Sequence, residues 1–503
     1  MMRDRLGLGT LARVTWCVVA LIASAERALA QGLSFRLTLD AATFTAPYTG
    51  RLYVVLIEGD NREVEPREEA GNWFDPPSMF AIDVDGLAPG AQATIGAGAL
   101  SHPEPLGALP PGTYTAQAFA RLNPDSPDPG RGEGDPISEP VKVEITEEGL
   151  DVALTLDRRV PAEAFEETDR VKMFEMVSPL LSAFHGREVV MRAGVRLPKD
   201  WKQDAGTSYP TVYWITGFGG DHGEIHDMER AFSRVMGADE CLIIVPDASC
   251  YWGHSVFVDS ATNGPRGRAL VEELIPAIEE VYRGAGGAEG RAVTGGSSGG
   301  WAALWLQVTY PDAFGSCWSH CPDPVDFRDF QRINLYEPGA NMYVDETGAA
   351  RPLARDGDRV VLLYRDFVAM ESLMGPGGQI GSFEATFSAR GEDGRPRALF
   401  DRVTGAVDTE VARSWEAFDI RLVMERNWET LGPKVAGKIH VYAGEMDTFY
   451  LEGATVLLAE SLKGLGSDAE VKIVKGMPHT IYPPGLVAMF ESLTAGGVET
   501  EAG

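Results

Sequence analysis

The chain has 503 residues, which exceeds one ordinary domain, so we expect two domains. Hydrophobic residues make up 44% of the chain and the formal net charge is −30, so substantial cores can form beneath an acidic surface. Such a surface repels phosphate backbones and anionic lipids. These numbers argue against a nucleic-acid-binding protein.

The first 30 residues have the pattern of an export signal. Three arginines precede an apolar core at residues 14–23, and Ala28-Leu-Ala30 supplies small residues before a cleavage point. The apolar core is too short to span a bilayer comfortably. We therefore predict an exported protein, periplasmic or secreted, with no stable membrane insertion after signal removal. An uncleaved anchor is the alternative.

Four cysteines would remain after cleavage: Cys241, Cys250, Cys317 and Cys321. An even number in an exported chain permits disulfides but does not establish them. The spacings do not resemble those of a zinc site. The sequence leaves the pairing open.

Residues 31–157 have an all-β pattern. Leu33, Phe35, Leu37 and Leu39 alternate with polar residues, and further short apolar runs follow, separated by Gly, Pro and Asp turns. The spacing predicts a small immunoglobulin-like β-sandwich. No catalytic set of residues lies within it, so we expect it to support the second domain, to present substrate, or only to pack.

Residues 170–496 alternate strand-like and helix-like segments, which is typical of an α/β sheet. The predicted strands are residues 171–177, 189–195, 211–216, 242–245, 292–294, 315–319, 438–443 and 469–474. The interval at about 325–434 is far longer than a usual connection. We expect it to form a cap of helices and loops.

The segment that follows the fifth predicted strand is Gly295-Gly-Ser-Ser-Gly-Gly300. The pattern G-x-S-x-G places a serine on a strained strand-to-helix turn, and small neighbours on both sides let strand and helix pack closely. Two frames fit, one presenting Ser297 and the other Ser298. We prefer Ser297, because the strand then ends at Thr294, directly before the first glycine. In a chain with 57 glycines the motif alone is weak.

Several motifs in chain order resemble one branch of the α/β-hydrolases. They are Thr216-Gly-Phe-Gly-Gly220, Phe257-Val-Asp-Ser-Ala-Thr-Asn-Gly-Pro265, the Gly/Ser turn and Tyr310-Pro-Asp-Ala-Phe314. That branch contains esterase D-like enzymes, feruloyl and acetylxylan esterases, enterochelin esterase-like proteins and mycolyltransferases. The resemblance implies an α/β-hydrolase fold with a mainly parallel eight-stranded sheet over roughly residues 170–495. Two features depart from the family pattern: Thr216 stands where many relatives carry histidine, and the cap interval is long.

A catalytic serine needs a base, and the base needs an orienting acid. In this fold the chain order is Ser, acid, His. Asp447 follows the seventh predicted strand and matches the family's G-x-x-D pattern, with Glu445 as its competitor. His479 follows the last strand on a Pro/Gly loop, and we predict it to be the general base.

The oxyanion of the tetrahedral intermediate needs two backbone N–H donors. We expect one from Ser298, the residue after the nucleophile, and the other from Phe218 in the glycine-rich turn after the third strand. Gly219 is the alternative to Phe218.

Together these residues predict a serine carboxylic-ester hydrolase that works through an acyl-enzyme. It would act on a small-molecule or polysaccharide-linked ester and would need no metal ion or organic cofactor. An acyltransferase of the same fold is one alternative. A catalytically silent protein that binds carbohydrate or a partner is another.

Overall fold

A computed structural model describes residues 32–202 and 206–495. The predicted export signal lies outside these residues. The described chain divides into two compact units. The first contains the residues up to Asn123 and Asp128–Ala162, and the second contains Pro124–Pro127 and the chain from Glu163 onward.

The first unit is all-β. Its strands are β1 (Ser34–Leu39), β2 (Tyr48–Glu58), β3 (Ser78–Leu87), β4 (Gln92–Ile95), β5 (Leu100–His102), β6 (Gly112–Ala120), β7 (Pro136–Ile137), β8 (Val141–Ile145), β9 (Asp151–Leu156) and β10 (Arg158–Arg159). One sheet has the order β4-β1-β9, and the other has β10-β7-β6-β2-β3-β5 with β8 paired to β6. The alternating residues Leu33, Phe35, Leu37 and Leu39 are all buried in its core.

The second unit is an α/β domain. Its strands are β11 (Val171–Val177), β12 (Val190–Arg196), β13 (Thr211–Ile215), β14 (Leu242–Pro246), β15 (Ser249–Cys250), β16 (Gly253–His254), β17 (Asp259–Ser260), β18 (Gly264–Pro265), β19 (Arg291–Gly296), β20 (Ser316–His320), β21 (Pro352–Asp356), β22 (Arg359–Leu363), β23 (Ile439–Gly444) and β24 (Glu470–Val474). Its helices are α1 (Pro179–His185), α2 (Ile225–Phe232), α3 (Arg266–Arg268), α4 (Ile275–Tyr282), α5 (Ser298–Thr309), α6 (Tyr364–Met374), α7 (Gln379–Phe387), α8 (Thr409–Ser414), α9 (Ile420–Val435), α10 (Glu452–Gly464) and α11 (Pro483–Ala495). A π-helical stretch, Ala269–Leu274, joins α3 to α4.

The central sheet has eight strands in the order β11-β12-β14-β13-β19-β20-β23-β24. β12 is antiparallel to both β11 and β14, and every other pair is parallel. The carboxyl ends of β13, β19, β20, β23 and β24 therefore meet at one edge, where open α/β sheets place their ligand sites. This arrangement confirms the predicted α/β-hydrolase fold.

Strand β19 ends two residues later than the sequence indicated. Gly295 pairs with Ile215 of β13 and Gly296 pairs with His320 of β20, so the ladder continues through both glycines. The helix α5 begins immediately after Ser297 and is buried along almost its whole length. One residue therefore makes the whole turn between a core strand and a core helix.

The interval between β20 and β23 contains a β-hairpin, β21–β22, as well as the expected helices. An aromatic cluster forms its interior, and Trp415 lies at its centre with no exposed surface, against Phe327, Phe330 and Phe387. Trp415 is therefore a packing residue of this segment. Among the described residues no helix is both long and apolar enough to cross a membrane.

Candidate active site

Ser297 occupies the turn between β19 and α5 with φ 57° and ψ −126°. A positive φ is uncommon for any residue other than glycine and is strained. The packed strand and helix hold it there: the backbone N–H of Ser297 donates to the carbonyl of His320 at 3.1 Å, and its own carbonyl accepts from Trp301. Its side chain is half-buried. Ser297 is thus the residue at the tip of the turn.

Two glycines allow this turn to form. A Cβ at Gly299 would collide with the backbone carbonyls of Ile215 and Thr216, and a Cβ at Gly295 would collide with Ile215 and the backbone of Gly299 itself. Even alanine is too large at either position. The spacing G-x-S-x-G with Ser297 at its centre is therefore a packing requirement here.

Ser298 has a different environment. It is buried, and its hydroxyl donates to Oδ2 of Asp323 at 2.5 Å. It is also the first residue of α5, where a backbone N–H has no acceptor within the helix. Its hydroxyl is therefore engaged in a hydrogen bond, while its N–H has no acceptor within the helix.

Asp323 was not predicted from the sequence. Burial raises the pKa of its carboxyl to about 6, against the opposing effects of the Ser298 hydrogen bond and the nearby His479. Its backbone N–H donates to the carbonyl of Ser297 at 3.2 Å. The sequence held no signal for it, because Asp323 lies in a Pro/Asp-rich loop after β20 that resembles any surface turn.

The predicted oxyanion loop is a tight turn beside Ser297. The N–H of Gly220 donates to the carbonyl of Gly217 at 3.1 Å, and Gly219 has φ 85°, so Phe218 and Gly219 are the two central residues. A Cβ at Gly217 would lie 3.6 Å from the Cβ of Ser297. The turn therefore approaches the serine at van der Waals distance, with Phe218 next in the chain.

Asp447 is fully buried in the loop after β23. Its Oδ1 accepts the backbone N–H of Phe449 at 2.9 Å, and its Oδ2 lies 2.8 Å from Nδ1 of His479. Because a carboxylate only accepts, Nδ1 of the imidazole must carry the proton in this contact. The competing Glu445 is exposed and accepts from the N–H of Gly476, away from the imidazole.

The loop that carries His479 lies against the turn that carries Ser297. Two residues further along, the side chain of Ile481 packs on Gly296, and a Cβ there would collide with it. Among the described residues the Ser297 hydroxyl has no hydrogen-bond partner. Contacts between a nucleophile and its base often tighten only when substrate binds.

Burial lowers the pKa of His479, but the hydrogen bond to Asp447 and the interaction with Cys321 outweigh burial and raise it above 6.5. Cys321 follows β20 directly, is buried, and has φ 34°. A Cβ at Gly296 would lie 3.8 Å from its sulfur. This thiol therefore lies beside both His479 and the turn that carries Ser297, which the sequence did not indicate.

Two other histidines near this edge, His254 and His320, are buried in the core. Burial lowers the pKa of His254 to about 4 and that of His320 to about 3. Nδ1 of His320 accepts the backbone N–H of Tyr482 at 3.1 Å. Both imidazoles are therefore neutral at physiological pH, and neither adjoins a buried acid in the way that His479 does.

The four cysteines Cys241, Cys250, Cys317 and Cys321 are buried free thiols. Within the described ranges no group of three His, Cys, Asp or Glu side chains could hold a metal ion.

A family model described as "Putative esterase" matches residues 186–460, more than half of the chain. The chain belongs to this esterase family. The match includes Phe218, Ser297, Ser298 and Asp447 and ends before His479. It confirms the resemblance drawn from the sequence motifs and supports the predicted serine esterase class.

The chain is also similar to Esterase MT1326 of Mycobacterium tuberculosis, with 34% identity over 139 residues. That match covers 27% of this chain and only 30% of the relative. Among solved structures, a ferulic acid esterase superposes with a TM-score of 0.39 at 14% identity, over 64% of this chain and 96% of its own. An S-formylglutathione hydrolase from Agrobacterium tumefaciens superposes with a TM-score of 0.37 at 15% identity, over 64% of this chain and 91% of its own.

Proposed function

We propose that this protein is an exported serine carboxylic-ester hydrolase with the triad Ser297, His479 and Asp447. One observation carries the proposal: a buried carboxylate holds the Nδ1 of His479 at 2.8 Å, and the loop bearing that imidazole packs on the strained turn of Ser297. A half-buried serine, an imidazole in a defined tautomer and a buried acid are the set that acyl transfer needs.

In the proposed reaction the Oγ of Ser297 forms a bond to the ester carbonyl carbon while Nε2 of His479 takes its proton. The carbonyl oxygen becomes an oxyanion, which the N–H groups of Ser298 and Phe218 stabilise. Collapse of this intermediate breaks the bond to the alcohol oxygen, which receives the proton from His479. A water molecule then attacks the acyl-enzyme by the same steps and releases the carboxylic acid and free Ser297.

Export is part of the proposal and rests on the sequence of residues 1–30. Cell fractionation and N-terminal sequencing of the mature protein test it. We expect the mature chain to begin at Gln31.

Labelling with a fluorophosphonate probe tests the chemistry, with the adduct mapped by mass spectrometry. We expect the adduct on Ser297 in the wild-type protein and in Ser298→Ala, and neither adduct nor hydrolysis of acyl esters in Ser297→Ala. An adduct on neither serine, together with no turnover on a panel of acyl esters, would contradict the proposal. Adding acceptor alcohols to the same assay distinguishes hydrolysis from acyl transfer.

A further inference from the structure

The loop that carries Asp447, residues 445–451, connects β23 to α10. Two backbone contacts orient it on the side of β24: the N–H of Glu445 donates to the carbonyl of Val474, the last residue of that strand, and the N–H of Met446 donates to the carbonyl of Met477, just beyond it. Its far side has no sheet neighbour, and Tyr450 there has φ 58°. The position of the acid therefore depends on what holds the outer part of this loop.

Arg355 in the hairpin β21–β22 makes most of those outer contacts. Its backbone N–H donates to the carbonyl of Thr448 at 2.8 Å, and its Nε donates to the carbonyl of Asp447 itself at 2.9 Å. Its Nη2 reaches the carbonyl of Glu445 at 3.2 Å and Oε1 of Glu452 at 2.7 Å. The side chain is only 14% exposed.

The same guanidinium also stacks on the loop. Its Cζ lies 4.5 Å from the ring centroid of Tyr450, and Arg332, from a second part of the insertion, contacts that ring at 5.2 Å. Gln331, next to Arg332, donates to the carbonyl of Phe449 at 3.4 Å. Gln331 and Arg332 both have positive φ, so strained backbone lies where the insertion meets the loop.

From this geometry we propose that Arg355 is a positioning residue for the triad acid, and that the insertion at 325–434 holds Asp447 in place through it. A planar guanidinium holds its N–H donors in one fixed fork and can donate from different nitrogens to several carbonyls. A lysine ammonium has its three donors on a single nitrogen and cannot reproduce that geometry. This inference rests on the proposed esterase function.

A displaced acid changes the chemistry in a specific way. Asp447 fixes the tautomer of His479 and stabilises the imidazolium that forms during attack. A substitution far from the reacting atoms that displaces a catalytic group by about 1 Å can lower the rate about 100-fold. Loss of Arg355 should therefore lower kcat and leave KM nearly unchanged, because no contact of this residue lies at the serine or the oxyanion turn.

The test compares wild-type protein with Arg355→Met, Arg355→Lys and the control Arg359→Met. Arg359 lies on the same hairpin, pairs only with Asp356 among the described residues, and is 75% exposed. The readouts are kcat and KM for p-nitrophenyl acetate across pH, with the melting temperature of each variant.

The groups that face His479 are Asp447 after β23, and Cys321 and Asp323 after β20.

We expect kcat to fall about 10-fold to 100-fold in Arg355→Met with KM within about threefold. The acid limb of the pH profile should move to lower pH, because a looser Asp447 raises the pKa of His479 less. Arg355→Lys should be intermediate and Arg359→Met within about twofold of wild type. If Arg355→Met does not fold, the lysine variant, which keeps the charge opposite Glu452, decides the question.

An active wild type whose Arg355 variants keep both kcat and the pH midpoint would overturn this inference alone. A fall in kcat that only tracks the folded fraction, with an unmoved midpoint, would also overturn it. A wild type with no turnover and no fluorophosphonate adduct at Ser297 would overturn the proposed function and this inference with it.

Discussion

At the scale of single residues, Ser297 and Ser298 are adjacent and identical in chemistry, yet their surroundings separate them. Ser297 has the strained backbone of the turn and a half-buried hydroxyl. The hydroxyl of Ser298 donates a hydrogen bond to the buried carboxyl of Asp323. Without this bond the carboxyl would lose one of its hydrogen-bond donors. The sequence allowed both frames. The choice between them depends on which hydroxyl is already bonded, and that is a property of the folded site.

The pH dependence of hydrolysis follows from the raised pKa of His479. In the proposed mechanism His479 must be neutral to accept the proton from Ser297, so kcat/KM should be low at acid pH and rise through an apparent pKa above 6.5. We expect Cys321→Ala to move this midpoint to lower pH, because the thiol contributes to raising the pKa of the imidazole. Cys241→Ala, which removes another buried thiol before β14, should leave the midpoint unchanged.

The same shift has a consequence for stability. A histidine whose folded pKa exceeds its unfolded value of 6.5 stabilises the protein when protonated. This contribution is fully present below pH 6.5 and is lost as pH rises through the folded pKa.

For the activity prediction, if the pH midpoints of hydrolysis by wild type and by Cys321→Ala coincide, the thiol does not influence the pKa of His479.

At the scale of elements, the strands were the most predictable feature. Each of the eight sheet strands was placed within about two residues, because buried β-rich runs alternate with helical segments over the whole second unit. The hairpin β21–β22 was missed. Its first strand, Pro352–Asp356, is short, begins with proline and carries two charges, so it has neither strand periodicity nor a typical turn signal.

The packing of β19 against α5 gives a prediction for this element. Gly299→Ala places a methyl group against the carbonyls of Ile215 and Thr216, so we expect about 1–3 kcal/mol of lost stability and loss of hydrolysis. Gly381→Ala is the matched control, because a Cβ in that turn of α7 meets no atom within 4 Å. It should raise the free energy of unfolding by about 0.5–1 kcal/mol through helix propensity.

Denaturant unfolding and ester hydrolysis, measured on both variants, check this pair. Equal stability of the two variants, or an active Gly299→Ala protein, would show that the turn tolerates a larger residue than its packing indicates.

At the scale of the whole molecule, the net charge of −30 should change kcat/KM for a substrate according to the charge of that substrate. We expect kcat/KM for a succinyl hemiester of p-nitrophenol to rise as salt goes from about 0.01 to about 0.15 M, because the Debye length shortens from about 30 to about 8 Å. The neutral acetyl ester of the same phenol should change little. A fall for the anionic ester would show that local positive charge at the site outweighs the acidic surface.

The sequence by itself, with the family resemblance of its motifs, predicted the fold class, the order of the proposed serine, acid and histidine along the chain, and the strand that precedes each of them. Hydrophobic periodicity and glycine spacing are local properties that a single chain displays directly. Tertiary structure decided the rest: that Asp447 rather than Glu445 meets the imidazole, that Asp323 and Cys321 adjoin the site, and that Arg355 contacts the acid loop from about 90 residues away. These are contacts between segments distant in sequence, and no local pattern encodes which side chain a loop turns toward its neighbour.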